Sequence, residues 1–245
     1  MRQFKWMLLT LLTAFSVSSC FIDIDDEDSA GGCLNGQGPI VTEDLTLNRV
    51  DAIDLKLPAV VYLRQGEEQR VVVEGQSNIV DFMERTVKGG LWEIEVDRCV
   101  RNMEEMRIFI TLPEITEVKI SGSGNIISEN SLLVDDLDVG ISGSGEISLG
   151  VVADDINSSV SGSGNVVLKG EADEIRFRVS GSGDLRAFDL MARKGEVEIS
   201  GSGDVEVYCT EQLDVFITGS GDVLYHGNPS LNVSISGSGE VVDAN

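Results

Sequence analysis

Val197-Glu198-Ile199-Ser200-Gly201-Ser202-Gly203-Asp204-Val205-Glu206-Val207 decides how this chain folds. Apolar and polar residues alternate on both sides of Ser200-Gly201-Ser202-Gly203, and a period of two marks an extended strand with one face turned inward. Two glycines flanking a serine permit positive φ and a sharp change of direction, and they let neighbouring backbone come close. The unit is therefore strand, glycine corner, strand. The same [ST]GSG tetrapeptide begins at Ser121, Ser142, Ser161, Ser180, Ser200, Thr218 and Ser236, in steps of 21, 19, 19, 20, 18 and 18 residues. So constant a step is the mark of a solenoid.

Alternation precedes the copies, as in Leu137-x-Val139-x-Ile141, Ile175-x-Phe177-x-Val179 and Leu231-x-Val233-x-Ile235, and resumes after them, as in Glu146-Ile147-Ser148-Leu149. One unit cannot cover its own apolar face, so coils must stack, with equivalent strands paired in parallel about 4.8 Å apart. The expected fold is all-β, a right-handed single-stranded β-helix. Serines at equivalent positions are expected to hydrogen-bond along the stack. The polar stretches 129–131, 171–174, 193–195 and 227–230 are expected to be loops off the ladder, where length can vary.

Residues 38–117 lack the tetrapeptide but keep the alternation. Ile53-Asp54-Leu55-Lys56-Leu57-Pro58-Ala59-Val60 reads as a degenerate copy of Val118-Lys119-Ile120-Ser121-Gly122-Ser123-Gly124, with Pro58 near the corner. Further strands are expected at 71–74, 91–96 and 106–112, with a short helical turn around 79–85. Irregular first coils fit this region, because terminal repeats must close an exposed edge. A separate small β domain is the alternative.

At the start of the chain, Arg2 and Lys5 precede the apolar run Met7 to Phe15. That is the layout of a secretory signal peptide, and its apolar core falls short of the roughly 20 residues that span a bilayer. Val17-Ser18-Ser19-Cys20 resembles the lipobox of bacterial lipoproteins, which implies that Cys20 is acylated and becomes the first mature residue. The other reading is an ordinary signal cut near Ser18, with Cys20 in a disulfide. Next come Asp23-Ile24-Asp25-Asp26-Glu27-Asp28 and Ser29-Ala30-Gly31-Gly32, too charged and small to order themselves. This stretch also resembles the acidic tracts that direct Bacteroidetes lipoproteins to the cell exterior; a plain solubilising spacer explains it as well. The expected layout is a signal peptide at 1–19, an acidic tether at 20–37, irregular coils at 38–117 and the regular array at 118–245.

With 42 acidic and 18 basic residues the formal charge is −24. Nucleic acid and anionic headgroups are then poor partners, because binding them takes lysine and arginine to displace counterions. Once Cys20 is acylated, Cys33, Cys99 and Cys209 remain in a compartment that permits disulfides. Cys33 with Cys99 is the expected pair, closing a long loop and tying the tether's end to the body, with Cys209 alone. No CxxC spacing of a zinc or redox site occurs.

The position after each tetrapeptide reads Asn125, Glu146, Asn165, Asp184, Asp204, Asp222 and Glu240, so stacking creates a polar column with five carboxylates. Like charges one strand spacing apart repel. They point to solvent and splay, or bind cations, or share protons. These seven residues are the candidate binding positions, and Asp184, Asp204 and Asp222 the candidate ligands for calcium, a hard cation that wants several oxygens. No other cofactor is expected. The single histidine, His226, is expected in an exposed loop before Gly227-Asn228-Pro229, and Arg98, Arg101 and Arg107 are read as solvated strand-end charges.

The lipobox, Cys33-Leu34-Asn35-Gly36-Gln37-Gly38-Pro39, the step from Leu112-Pro113 into Val118-Lys119-Ile120-Ser121-Gly122-Ser123-Gly124-Asn125-Ile126, and the recurrent GSG[DNE]-aliphatic motif together resemble the head GIN domain family of Bacteroidetes lipoproteins, autotransporter-adhesin-like domains. The similarity runs from about Asn35 to the end of the chain. It implies a single-stranded β-helix and an adhesin-like role, and no catalytic residues. The expected protein is an exported outer-membrane lipoprotein, held through its acyl anchor and displaying a binding scaffold to a surface glycan or protein. Two alternatives stay beside it. One is a polysaccharide-active β-helix enzyme, which needs paired carboxylates at a set spacing, or calcium with an arginine base, in one cleft. The other is a structural protein whose coils associate end to end through the edge around Val241-Val242-Asp243.

Overall fold

The corner glycines other than Gly122 sit where a side chain could not. Gly162 has φ +127°, and a Cβ on it would lie 2.5 Å from the carbonyl oxygen of Gly143, its counterpart one coil away. Two residues on, a Cβ at Gly164 would lie 2.5 Å from Ile141 Cγ2 and 2.6 Å from Gly145 O. The first glycine of the tetrapeptide thus turns the chain and both let the coils touch. Serines do something else. Their backbone N–H groups carry the corner ladder, Ser163 N donating to Gly143 O at 2.9 Å and Ser182 N to Gly162 O at 2.8 Å. Their side chains point to solvent, and among the described residues only one tetrapeptide hydroxyl has a partner, Ser121 Oγ on Asp54 Oδ2. The expected serine ladder is replaced by a main-chain one.

A computed structural model describes residues 32–245. The expected signal peptide at 1–19, Cys20 and most of the tether lie outside the described residues. The chain begins with β1 (Leu34–Asn35), β2 (Ile40–Leu45), β3 (Ala52–Leu55), β4 (Val60–Gln65), β5 (Arg70–Gln76), α1 (Ser77–Asp81), β6 (Val87–Lys88), β7 (Leu91–Ile94), β8 (Val100–Arg101) and β9 (Arg107–Leu112). The array follows as β10 (Glu117–Ile120), β11 (Asn125–Leu133), β12 (Asp136–Gly143), β13 (Glu146–Gly162), β14 (Asn165–Gly181), β15 (Leu185–Gly201), β16 (Val205–Gly219), β17 (Val223–His226), β18 (Ser230–Gly237) and β19 (Val241–Asp243). From β10 on, equivalent strands pair in parallel, which makes a β-solenoid.

Inside, the period of two builds columns of stacked apolar side chains. Val118, Val139, Ser158, Phe177, Val197 and Val215 follow one another in register, as do Ile120, Ile141, Val160, Val179, Ile199 and Ile217. Nearly all are fully buried, and at about 25 cal/mol per Å² such columns hold the coils together. Ser158 breaks the pattern: it is buried beside the large Phe177, and its Oγ has no hydrogen-bond partner.

The polar stretches expected as loops are mostly ladder. Residues 171–174 lie within β14 and pair with β13 and β15, and residues 193–195 lie within β15. Differences in coil length are absorbed as bulges. Opposite β16, the residues Phe188-Asp189-Leu190 of β15 have no counterpart, while β16 gains one residue near Thr210-Glu211. The net surplus of two is the difference between the 20- and 18-residue steps. Gly195 occupies an inward apolar position, between Ile175 and Leu213, and a Cβ there would meet Cys209 Sγ at 2.6 Å. Cys209 fills the space that Gly195 leaves.

Toward its N-terminal end the stack departs from chain order. β3 and β4 pair in parallel with β10 and β11, with Ile53 opposite Val118 and Leu55 opposite Ile120, so the degenerate copy is a true coil. The later strands β7 and β9 lie on its outer side. Beyond them β6 covers β7, and β5 then β2 cover β9, all antiparallel. Trp92 is buried in this cap, where α1 contributes Ile79 and Val80. The body starts earlier than expected, at Cys33 rather than 38. Leu34 N donates to Cys99 O at 2.7 Å, Gln37 N to Asn78 Oδ1 at 2.9 Å, and Cys33 is disulfide-bonded to Cys99 with the Cα atoms 4.6 Å apart.

At the other end β18 pairs with β16 on one side, and among the described residues none is laid over its other side. Leu231, Val233 and Ile235 continue the inward columns yet remain 41%, 40% and 43% exposed.

Candidate functional site

The column after the corners divides in two. Asn125, Glu146 and Asn165 pair in register, and their backbone N–H groups donate to carbonyls of the preceding coil, as Asn165 N does to Gly145 O at 3.0 Å. From Asp184 onward the carboxylates take over. Asp184 Oδ1 accepts from Asp204 N at 3.2 Å, Asp204 Oδ1 from Asp222 N at 2.8 Å, and Asp222 Oδ1 from Glu240 N at 2.8 Å. Aspartate, one carbon from its Cα, is the right length to bridge one coil spacing. Asp184, Asp204 and Asp222 therefore each accept from an N–H dipole of the next coil, and Arg186 Nη2 adds a cation 2.9 Å from Asp184 Oδ2. Among the described residues no three of His, Cys, Asp or Glu gather as a metal site. The main-chain donors to Asp184, Asp204 and Asp222 are an interaction that the sequence did not suggest.

Other singled-out residues are also placed. His226 ends β17 rather than lying in a loop; its ring stacks on Phe188 at 4.0 Å, meets Tyr208 edge-on at 6.1 Å, and its Nε2 is 3.0 Å from Ala244 O. Arg98 lies 4.4 Å over the Phe82 ring and pairs with Asp97, while Arg107 pairs with Glu105 and Glu74. Arg101 sits in the short β8. They form no common clamp. Burial pushes the Cys209 thiol up to about 12, so it stays protonated and unreactive.

A site the sequence reading did not single out lies on the outward side of the strands that precede the corners. Two outward columns run there, Asp138–Asn157–Arg176 and Lys119–Gly140–Ser159–Arg178, each in register. Gly140 and Ser159 are short between two long cations, and the gap is a depression of about 340 Å³ lined by Lys119, Asp138, Asn157, Ser159, Arg176, Arg178 and the strand backbone at Val139 and Ser158. The Lys119 methylenes lie over Gly140, whose missing Cβ would be 3.0 Å from Lys119 Cγ. Every cation is held from outside the depression. Lys119 pairs with Glu117; Arg176 with Glu174 at 3.0 Å and Asp155 at 3.6 Å; Arg178 with Glu198 at 2.7 Å and Glu196 at 4.0 Å. The hydrogen bond to Glu198 raises the Arg178 pKa further. The x positions of Leu137-x-Val139-x-Ile141, aligned coil by coil, were the available signal.

A parallel ladder with apolar columns inside and fixed polar columns outside defines a β-solenoid scaffold. The chain belongs to the head GIN domain family: residues 49–229 match the family described as "Putative auto-transporter adhesin, head GIN domain". A structure from Bacteroides fragilis, described as a putative adhesin, is 27% identical with a TM-score of 0.79, over 85% of this chain and 98% of that one. Another from Parabacteroides distasonis, described as a putative lipid binding protein, is 26% identical with a TM-score of 0.71, over 86% of this chain and 100% of that one. A Parabacteroides merdae structure, described as a putative adhesin, shares the fold at 19% identity and a TM-score of 0.68, over 86% of this chain and 99% of that one. None of the curated proteins matches the chain. Among the described residues no helix is long and apolar enough to cross a membrane.

Proposed function

We propose that this protein is a non-enzymatic, lipid-anchored adhesin of the cell envelope, exported and held in the outer membrane by acylated Cys20. The observation that carries the reading is the outward face itself: side chains that make no contribution to the core are held in register over many coils, and membership of an adhesin-described family agrees with it. The acidic segment after Cys20 spaces the body from the membrane, and the strongly acidic body stays off anionic headgroups and nucleic acid. Its partner is a glycan or a protein on a facing surface. The test is adhesion of cells to immobilised glycans and matrix proteins, comparing wild type, a deletion and Cys20→Ala. Adhesion is expected to fall in the deletion and the variant, with the variant chain recovered in the soluble fraction. Unchanged adhesion in the deletion, or turnover of any offered glycan by the purified chain, sinks the proposal.

A second reading, end-to-end association, is favoured by one observation, the exposure of Leu231, Val233 and Ile235 on β18 among the described residues. Light scattering of the Cys20→Ala chain over a concentration series tests it, and a strict monomer at the highest concentration rejects it.

A further inference from the structure

We infer that the depression between Lys119 and Arg178 is a subsite for one neutral sugar ring of a glycan; this rests on the surface-binding reading above. Its dimensions suit such a ligand. Four coils spaced about 4.8 Å apart and two outward columns about 7 Å apart frame the patch. The volume of about 340 Å³ is at the small end of ligand pockets, enough for one or two rings.

Charge decides between ligand classes. The lining carries three cations, Lys119, Arg176 and Arg178, and one acid, Asp138. Outside it stand Glu117, Asp155, Glu174, Glu196 and Glu198, the partners of those cations. Six carboxylates against three cations leave the neighbourhood net negative, in a chain already at −24, so a sulfate or uronate gains little there. A cationic ligand meets three positive heads in the walls. A neutral polyol needs neither sign in excess: it needs donors and acceptors close together and already held in place. Arg176, Arg178, Lys119 and the Asn157 amide supply N–H groups, and the ion pairs behind them fix the two guanidinium planes. Asp138 is the acceptor. It uses its backbone N–H on Thr116 O at 2.9 Å, while its carboxylate has no partner among the described residues. Side by side in register, Asp138 and Asn157 present the acceptor and donor that a pair of vicinal hydroxyls requires.

The test is a titration of the ¹⁵N-labelled full-length chain carrying Cys20→Ala with methyl glycosides of glucose, galactose, mannose and N-acetylglucosamine, followed by amide shifts. At least one glycoside should give saturable shifts at Gly140, Asn157 and Ser159, with a Kd of about 1 mM, typical of a ligand this small on an open site. Asp138→Asn and Arg178→Met should each weaken binding about tenfold, the loss of one charge-assisted hydrogen bond, with the melting temperature unchanged. Ser159→Phe, at an exposed position, should abolish it by filling the depression. The proposal is overturned if no glycoside shifts these amides, if Ser159→Phe binds as wild type does, or if glucuronate or sulfate binds more tightly than every neutral sugar. Cell adhesion separates the two levels: adhesion that survives Ser159→Phe removes this subsite and leaves the adhesin, and adhesion that survives deletion of the chain removes the adhesin.

Discussion

Replacing Gly164 by alanine tests the claim that the tetrapeptide is architecture. The new Cβ would lie 2.5 Å from Ile141 Cγ2 and 2.6 Å from Gly145 O. Ordinary carbon–oxygen contact begins near 3.3 Å and carbon–carbon contact at about 3.5 Å, so two coils must part by roughly 0.7–1 Å there. The ladder bonds on either side, Ser163 N to Gly143 O at 2.9 Å and Asn165 N to Gly145 O at 3.0 Å, stretch with them. Weakening both costs about 1–2 kcal/mol, and forcing an extra carbon into a packed interior about 1–3 more. Alanine's lower entropy in the unfolded chain returns less than about 1 kcal/mol. The expected net loss is about 3 kcal/mol, which in a body of this size lowers the melting temperature by roughly 6–12 °C. Circular dichroism during heating and urea titration of Gly164→Ala is the assay, with Ser163→Ala beside it. Since the Ser163 hydroxyl is exposed and unbonded, that control should stay within about 0.5 kcal/mol of wild type. An alanine at 164 that folds as stably as glycine, or a Ser163→Ala variant that suffers as much, would refute the reasoning.

Further expectations concern the core, the acid column and the cysteines. Ser158→Ala removes a buried hydroxyl without a partner and should raise stability by about 1 kcal/mol, read as a higher urea midpoint. Asp204→Ala leaves the Asp222 N–H without its acceptor and should cost about 1 kcal/mol. Because those carboxylates serve N–H groups, calcium should shift the wild-type melting temperature no more than magnesium at equal concentration. Reducing Cys33–Cys99, or Cys99→Ser, opens a 66-residue separation and should cost about 4 kcal/mol on the chain-entropy estimate. Native Cys209 should resist iodoacetamide at pH 9 and react at once in urea. Its thiol is raised from 9 to about 12 on folding, so stability should also decline as pH climbs from 9 towards 12, where the unfolded chain sheds a proton the folded one keeps.

What could be read in advance followed from strict repetition. The glycine corners, the inward columns and the coil made by Ile53 to Leu55 all rest on local alternation and a near-constant step, and the pairing of Ile53 with Val118 is their direct result. Other features depend on what neighbours do. Residues 171–174 look like a loop because they are polar, yet parallel pairing asks only for backbone, and coils on both sides supply it. Gly195 reads as a loop residue until Cys209, 14 positions later and one coil away, is found in its space. That β7 and β9 lie outside β3 and β4 could not be inferred either, since stacking order and chain order are independent wherever the period lapses. The bonds along the acid column belong to the same class, since the N–H groups that Asp204 and Asp222 accept from come within reach only once the coils are stacked.

Inward and outward positions face opposite constraints, and this separates stability from recognition along every strand. An inward residue touches the coils on either side, so Phe177 is compatible with a Ser158 neighbour and Gly195 with a Cys209 neighbour, and a change at one propagates to the other. An outward residue touches mostly water and its ladder neighbours, where single substitutions cost about 0.5 kcal/mol or less. Long charged side chains therefore form the default outer surface, and a recess arises wherever two consecutive coils carry short residues at one position. Gly140 and Ser159 do so between Lys119 and Arg178. Such a recess is nearly free of cost to the fold, which can move it, enlarge it or erase it by exchanging two outward residues. Recognition in a scaffold of this kind is expected to follow the outward columns and to leave the glycine corners untouched.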